Sequence, residues 1–292
     1  MPAHAHFDPA ELRDPHGKWS RSGKAASALH RMSREAAGAG HAVTAKDSMA
    51  AHTLPDGSFT PERKALHDKI IGGILAGHKS QRSPAATFYG GGPASGKSAL
   101  KPAGPDSALI DPDEVKKQLP EYQAMTAAKD ASAAAYTHEE SSHVAKEAMK
   151  EARRRKINYV LDGTGDSSFA KMSGKVNAAK EAGYTVHGRY ATVDTDEAVK
   201  RAMARAQHTG RMVPEPVIRE THASVSAVFD QAVRAGLFDS VQLHDNNVPK
   251  GSPAKLIASG QGNSFSVLDQ AAYRKFLAKT GGRTVPLGLG PQ

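Results

Sequence analysis

The run Gly91-Gly92-Pro93-Ala94-Ser95-Gly96-Lys97-Ser98 is made of the residues a phosphate-holding turn requires. It fits the pattern G-x-x-x-x-G-K-[ST], in which glycines let successive backbone amides turn inward around phosphate oxygens. A helix starting at the end of the turn adds the positive end of its dipole. Lys97 is placed to reach the β and γ phosphates of a nucleotide. The Ser98 hydroxyl is an oxygen ligand of the kind Mg2+ takes alongside phosphate and water. A chance glycine-rich turn would share the letters but not the surroundings. Here the apolar run Ala85–Tyr89 leads in as a strand, and Lys97–Leu100 leads out as a predicted helix. ATP and Mg2+ are therefore the implied cofactors.

Moving a phosphoryl group also needs a base for the attacking hydroxyl and groups that hold metal or acceptor. In an open α/β sheet such groups sit at the carboxyl ends of strands. Ala108–Ile110 ends in Asp111-Pro112-Asp113, and Tyr159–Leu161 ends in Asp162-Gly163-Thr164-Gly165. We assign Asp113 as the base, and Asp111 and Asp162 to metal or acceptor positioning. The competing role for Asp111 or Asp113 is to cap the helix predicted over Asp113–Leu119. Cationic donors for the transferring phosphoryl come later in the chain. Arg201 and Arg205 are four residues apart on one predicted helix face, and Arg211 follows in a Gly- and Pro-bounded turn. By contrast, Arg153-Arg154-Arg155-Lys156 closes a helix, where cations suit the dipole and solvent.

These residues need elements to position them. Strands are predicted at Ala85–Tyr89, Ala108–Ile110, Tyr159–Leu161, Thr185–Val193 and Val241–Leu243. Helices are predicted at Glu62–His78, Lys97–Leu100, Asp113–Leu119, Thr137–Arg155, Ser168–Ala182, Asp196–Gln207 and Pro216–Ala235. That alternation implies an α/β fold with a mostly parallel central sheet between helical layers. Residues 1–59 lack a sustained apolar period and read as a flexible extension whose removal leaves activity intact. Residues 60–249 form the nucleotide-binding domain. Residues 250–292 form an appendage with a strand at Ser264–Leu268, a helix at Gln270–Lys279 and a tail.

Composition narrows the partners. Of 292 residues, 39 are Lys or Arg and 30 are Asp or Glu, a net charge of +9 that favours anionic ligands. Aromatic residues are 5%, too sparse for base-stacking platforms, so nucleic acid ranks low as a partner. No apolar run reaches the roughly 20 residues that span a bilayer. A soluble, cytoplasmic protein without membrane contact is expected. With no cysteine, the fold has neither disulfide nor thiolate metal site.

Taken in order, the landmarks resemble the zeta toxin family of P-loop kinases. They are the phosphate loop, Ile110-Asp111-Pro112-Asp113, Tyr136-Thr137-His138-Glu139-Glu140, Asp162-Gly163-Thr164, Gly183-Tyr184, Arg205 and Gly210-Arg211. The resemblance spans Glu62 to Pro249 and implies a three-layer kinase fold that phosphorylates UDP-N-acetylglucosamine. It implies Asp113 as base, Lys97 as phosphate lysine, and Arg205 and Arg211 as phosphate contacts, with Arg201 replacing Arg205 in a different register. Glu139 or Glu140, with Thr164, would line the acceptor pocket. Ser98 and Asp162 would take the metal. Asp162 departs from the Glu often found there by one methylene. An antitoxin protein is an implied partner. Other acceptors, such as an antibiotic or nucleoside, keep the same fold. Leu12–Ser20 resembles a segment of bacteriophage structural proteins, which points to a phage origin and to a virion-associated alternative.

Overall fold

The computed structural model describes residues 46–100, 106–130, 132–209, 213–249, 251–262 and 264–281. Seven strands form one sheet: β1 Ala85–Gly90, β2 Ala108–Ile110, β3 Tyr159–Asp162, β4 Thr185–Thr192, β5 Ser240–Asp245, β6 Lys255–Gln261 and β7 Ser264–Val267. Their order is β2-β3-β1-β4-β5-β6-β7. The first five run parallel, and β6 and β7 are antiparallel. The chain leaves β1 for the sheet margin at β2, returns to β3 beside β1, then crosses to β4 on β1's other side. Connections therefore diverge at the carboxyl end of β1, the place where open α/β sheets bind ligands.

Ten helices occur among the described residues: α1 Ser48–Ala51, α2 Pro61–Leu75, α3 Pro112–Lys116, α4 Pro120–Ala127, α5 Ala133–Tyr136, α6 His138–Arg155, α7 Phe169–Glu181, α8 Thr195–Thr209, α9 Glu215–Arg234 and α10 Gln270–Ala278. Local chemistry sets several ends. Ser168 caps α7 by accepting from the Lys171 amide, Asp269 caps α10 by accepting from Ala272, and Pro120 opens α4. Arg154 and Arg155 in the last turn of α6 pair with Glu151 on an exposed surface, the structural use expected of that basic run.

The chain divides into two units, residues to Leu66 with Asp113–His143, and His67–Pro112 with Val144 onward. The second unit holds the sheet. Ala86, Phe88, Tyr159, Leu161, Val186, Tyr190, Val241 and Leu243, alternate residues of their strands, form one core with Met149 of α6, Met172 and Val176 of α7, Phe229 of α9 and Phe276 of α10. Each large side chain buried there contributes about 2 kcal/mol by removal from water. Edge-to-face ring contacts join Tyr190 to Phe229 at 4.9 Å and Phe229 to Phe276 at 5.3 Å.

The first unit is built round a charge. Arg63 is 5% exposed and forks onto two carboxylates, Glu140 and Glu121, the latter at 2.9 and 2.8 Å. His52 approaches Glu121 at 2.8 Å, and Phe59 packs on the His143 ring at 5.1 Å. Both His52 and Phe59 belong to the stretch expected to be flexible. From Lys46 that stretch is folded instead: Asp47 caps α1, and Thr53 bridges to Phe59. Its few apolar residues hid this, because polar pairing holds it in place. The phage-like Leu12–Ser20 segment lies outside the described residues.

Two further boundaries move. The sheet continues past Pro249, since β6 and β7 extend it and α10 packs into its core, so the C-terminal segment is no separate appendage. Strand β6 escaped prediction because Lys255-Leu256-Ile257-Ala258-Ser259-Gly260-Gln261 is rich in small residues. The helix expected after the phosphate loop is a single 3-10 turn, Lys97–Ala99, with Leu100 already extended at φ −72 and ψ 133. Pro102 denies a continuing helix the amide donor it would need.

A chain starting at Lys46 is expected to melt with the full-length protein. One starting at Thr60 loses the His52 and Phe59 contacts and about 1–2 kcal/mol, lowering Tm by several degrees. Thermal unfolding of both truncations checks this, and equal melting would show the 46–59 segment to be dispensable.

Candidate functional site

The phosphate loop leaves β1 through a backbone that alternates in handedness. Ala94 has φ 58 and Gly96 φ 82, both left-handed, while Pro93 and Ser95 between and before them stay at negative φ. Alternation of this kind turns successive amides toward one concave side and makes an anion-binding nest. Gly96 takes the left-handed value without strain, whereas Ala94 carries a cost of about 1 kcal/mol. Lys97 donates to the Gly91 carbonyl at 3.3 Å, which keeps its ammonium at the loop. The Ser98 side chain is exposed.

Neighbouring elements hold the loop from outside. The Gly91 amide donates to the Thr164 carbonyl at 2.9 Å, tying the loop to the turn after β3. His222 of α9, 3% exposed, sets Nε2 3.0 Å from the Pro93 carbonyl. Only a protonated Nε2 can donate to a carbonyl. Burial pulls the His222 pKa down to about 4, partly offset by this bond and reinforced by the charges of Lys279 and Lys97. The ring lies so close to Gly92 that any Cβ there would collide with it. Asn246, just past β5, donates Nδ2 to the Ser95 carbonyl at 3.1 Å and sits where a Cβ on Gly96 would fall.

The expected carboxylates of the sheet unit line up beside the loop. Asp162 is in register with Tyr89, and Leu161 with Ile110, so Asp162 and Asp111 end strands one and two places from β1. Strands lie about 4.8 Å apart. Both acids are half-buried and Thr164 is exposed. Of the arginines, Arg201 pairs with Glu197 at 2.9 Å and donates to the Asn246 carbonyl at 3.2 Å, whereas Arg205 is exposed on α8. Arg211 lies outside the described residues. Lys279, beyond α10, donates to Thr192 Oγ1 and the Val193 carbonyl at the carboxyl end of β4, and burial lowers its pKa to about 8.

Within the other unit, Asp113 accepts from Lys116 Nζ at 3.0 Å, and Lys116 is 5% exposed. The pair fixes this carboxylate from inside α3. Glu140 corrects an expectation. It is 0% exposed and bound by Arg63, so it is a buried counter-ion and offers no face to an acceptor. Glu139, one residue earlier, is exposed.

His222, Asn246 and Lys116 were not singled out in sequence. A signal existed for His222, which falls on the apolar stripe Ile218, Val225, Phe229 of α9. Asn246 follows a strand end, where ligand-side groups gather. Two open recesses of about 310 and 530 Å3 lie against β4–β7, lined by Gly236, Leu237 and Phe238 in one and Thr185, Ser240 and Gln261 in the other. Those residues mark the amino ends of β4 and β5, opposite the phosphate loop.

The family model described as Zeta toxin matches residues 71–250, more than half of the chain. Solved structures share the fold. The AvrRxo1-ORF1:ORF2 complex with ATP has a TM-score of 0.63 at 19% identity, covering 82% of this chain and 84% of that one. The same complex with sulphate ions gives 0.61 at 18% identity, covering 79% and 77%. The PezAT chromosomal toxin-antitoxin system of Streptococcus pneumoniae gives 0.53 at 16% identity, covering 64% and 78%. Among curated proteins, none matches this chain.

His222 has a pH consequence. Its folded pKa lies below the unfolded 6.5, so between pH 6.5 and about 4 the unfolded chain binds the extra proton and stability falls as pH falls. The loss approaches about 3 kcal/mol by pH 4. Denaturant titrations at pH 7 and 4.5 should show a smaller loss in His222→Gln than in the parent. An equal loss would mean that this imidazole titrates normally.

Proposed function

The chain belongs to the zeta toxin family, and on that premise we propose that it is an ATP- and Mg2+-dependent kinase. It transfers the γ-phosphate to a hydroxyl of UDP-N-acetylglucosamine or a similar sugar nucleotide. The observation that carries this is the alternation of negative and positive φ from Pro93 to Gly96, at the carboxyl end of β1, with Asp162 one strand away. The acceptor is the family's.

In this mechanism the loop amides and Lys97 grip the β and γ phosphates. Asp113 takes the proton of the acceptor hydroxyl as its oxygen attacks phosphorus, and the β,γ-bridging oxygen leaves with ADP. Lys116 fixes the Asp113 carboxylate for that task. Asp111, Glu139 and Thr164 orient the acceptor. Arg205 and Arg211 stabilise charge on the equatorial oxygens, while Arg201 is engaged by Glu197 and the Asn246 carbonyl.

Ser98 and Asp162 offer oxygen donors, which suits Mg2+; among the described residues no three His, Cys, Asp or Glu groups cluster as a self-sufficient metal cage. Bound there, the ion would neutralise charge on the phosphates. Consumption of a cell-wall precursor would make the activity toxic to bacteria. A protein antitoxin is the proposed partner, in keeping with the toxin-antitoxin system among the structural neighbours. Among the described residues no helix is long and apolar enough to cross a membrane.

ADP formation should depend on UDP-N-acetylglucosamine, and Asp113→Asn should lower turnover on the order of 10²-fold while ATP affinity holds. Asp113 lies inside α3, so an active Asp113→Asn variant would leave it only the structural role of pairing with Lys116. A fully inactive Asp111→Asn beside it would move the base two residues. ADP formation with another small alcohol and none with the sugar nucleotide would change the acceptor.

A further inference from the structure

Two side chains from distant parts of the sheet unit hydrogen-bond to backbone carbonyls of the phosphate loop. In a trans peptide the C=O and N–H point in opposite directions. A donor that holds a loop carbonyl outward therefore turns the amide of the following residue inward. His222 Nε2 holds the Pro93 carbonyl at 3.0 Å, and the amide in that same peptide belongs to Ala94. Asn246 Nδ2 holds the Ser95 carbonyl at 3.1 Å, and the amide in that peptide belongs to Gly96. These two peptides flank Ala94 and Ser95, and their N–H groups belong to two of the loop's positive-φ residues, Ala94 at φ 58 and Gly96 at φ 82. The Ser95 amide is already committed to the Gly92 carbonyl at 3.1 Å, so it adds nothing to the set.

Both clamps are themselves fixed. His222 is wedged on Gly92, where no side chain would fit beside it. The Asn246 amide donates to the Thr192 carbonyl at 2.8 Å, and its own carbonyl accepts from Arg201 at 3.2 Å. A buried neutral histidine spending its one N–H on a strained turn has no packing reason to be polar: Ile218, Val225 and Phe229 on the same face are apolar. Left alone, Ala94 would relax from its left-handed value and rotate its amide out of the set.

We propose that His222 and Asn246 are positioning residues for nucleotide binding, holding the Pro93 and Ser95 carbonyls outward so that the Ala94 and Gly96 amides stay directed at the phosphates. They act through the loop and touch no ligand. The proposal rests on reading the loop as a phosphate cradle, and the test separates the two.

Titration calorimetry with ATP and Mg2+ on the full chain is the measurement, with melting temperature recorded for each variant. His222→Leu fills similar space without a donor and should weaken ATP roughly 10-fold. His222→Gln, whose amide nitrogen reaches about as far as Nε2, should recover most of that loss. Asn246→Asp, nearly the same shape but with an acceptor in place of the donor, should also lose roughly 10-fold, which keeps the test open if a His222 variant fails to fold. Parental affinity in both His222→Leu and Asn246→Asp overturns the proposal, provided Lys97→Ala has lost binding. Equal weakening in His222→Leu and His222→Gln, in step with lower melting temperatures, also overturns it, by reducing the role to packing. Parent protein that binds no ATP, or Lys97→Ala that binds as the parent does, overturns the cradle reading and this proposal with it.

Discussion

A cradle made of backbone amides works only if each peptide plane is held in one orientation, because every plane can swing its carbonyl inward as readily as its amide. That constraint governs the sheet unit. Between Pro93 and Gly96 the backbone alternates in hand, at a cost Ala94 cannot avoid. Anchors come from four directions: the turn after β3, helix α9, the end of β5 and, through Gly91's tight fit beside the Ala191 carbonyl, strand β4. The parallel strands bring their carboxyl ends together at one edge, and the order β2-β3-β1-β4-β5 puts the loop at the centre of them. The hydrophobic core beneath supplies the rigidity. Its contribution is general, whereas the hydrogen bonds to the loop decide where two peptide planes point.

The other unit follows a different rule. Its centre is a nearly buried guanidinium satisfied by two carboxylates, so removing any one partner strands a charge away from water. This is why Glu140, one of the two glutamates that the family resemblance offered as an acceptor contact, has no exposed surface, and why a polar N-terminal stretch is folded at all. Lys116 and Asp113 repeat the arrangement on a smaller scale, a buried amine satisfied by the carboxylate three residues before it.

Much of the fold was legible. Strands β1, β2 and β3 are short apolar runs closed by Gly or Asp, and β4 and β5 alternate buried with more exposed residues, a period that differs plainly from the helices between them. The loop was legible because its chemistry demands specific residues at fixed spacing. What escaped depends on contacts between distant residues. His222 and Asn246 are 129 and 151 residues from the carbonyls they hold, and Arg63 is 77 from Glu140. No window of sequence joins such pairs. Strand β6 was missed for a local reason, since small residues suit a strand whose neighbours pack close, as Gly260 does against Phe265. The missing helix after the loop was visible in Pro102 but outweighed by the usual form of the motif.

If the loop grips phosphates, the base of the nucleotide is secondary to binding. Comparing ATP, ADP and AMP as ligands of the full chain, in the presence of Mg2+, tests it most directly. If amides of the loop, Lys97 and Ser98 hold the β and γ positions, ATP and ADP bind at least 10-fold more tightly than AMP. AMP binding as tightly as ATP, or no binding by any of the three, would contradict it.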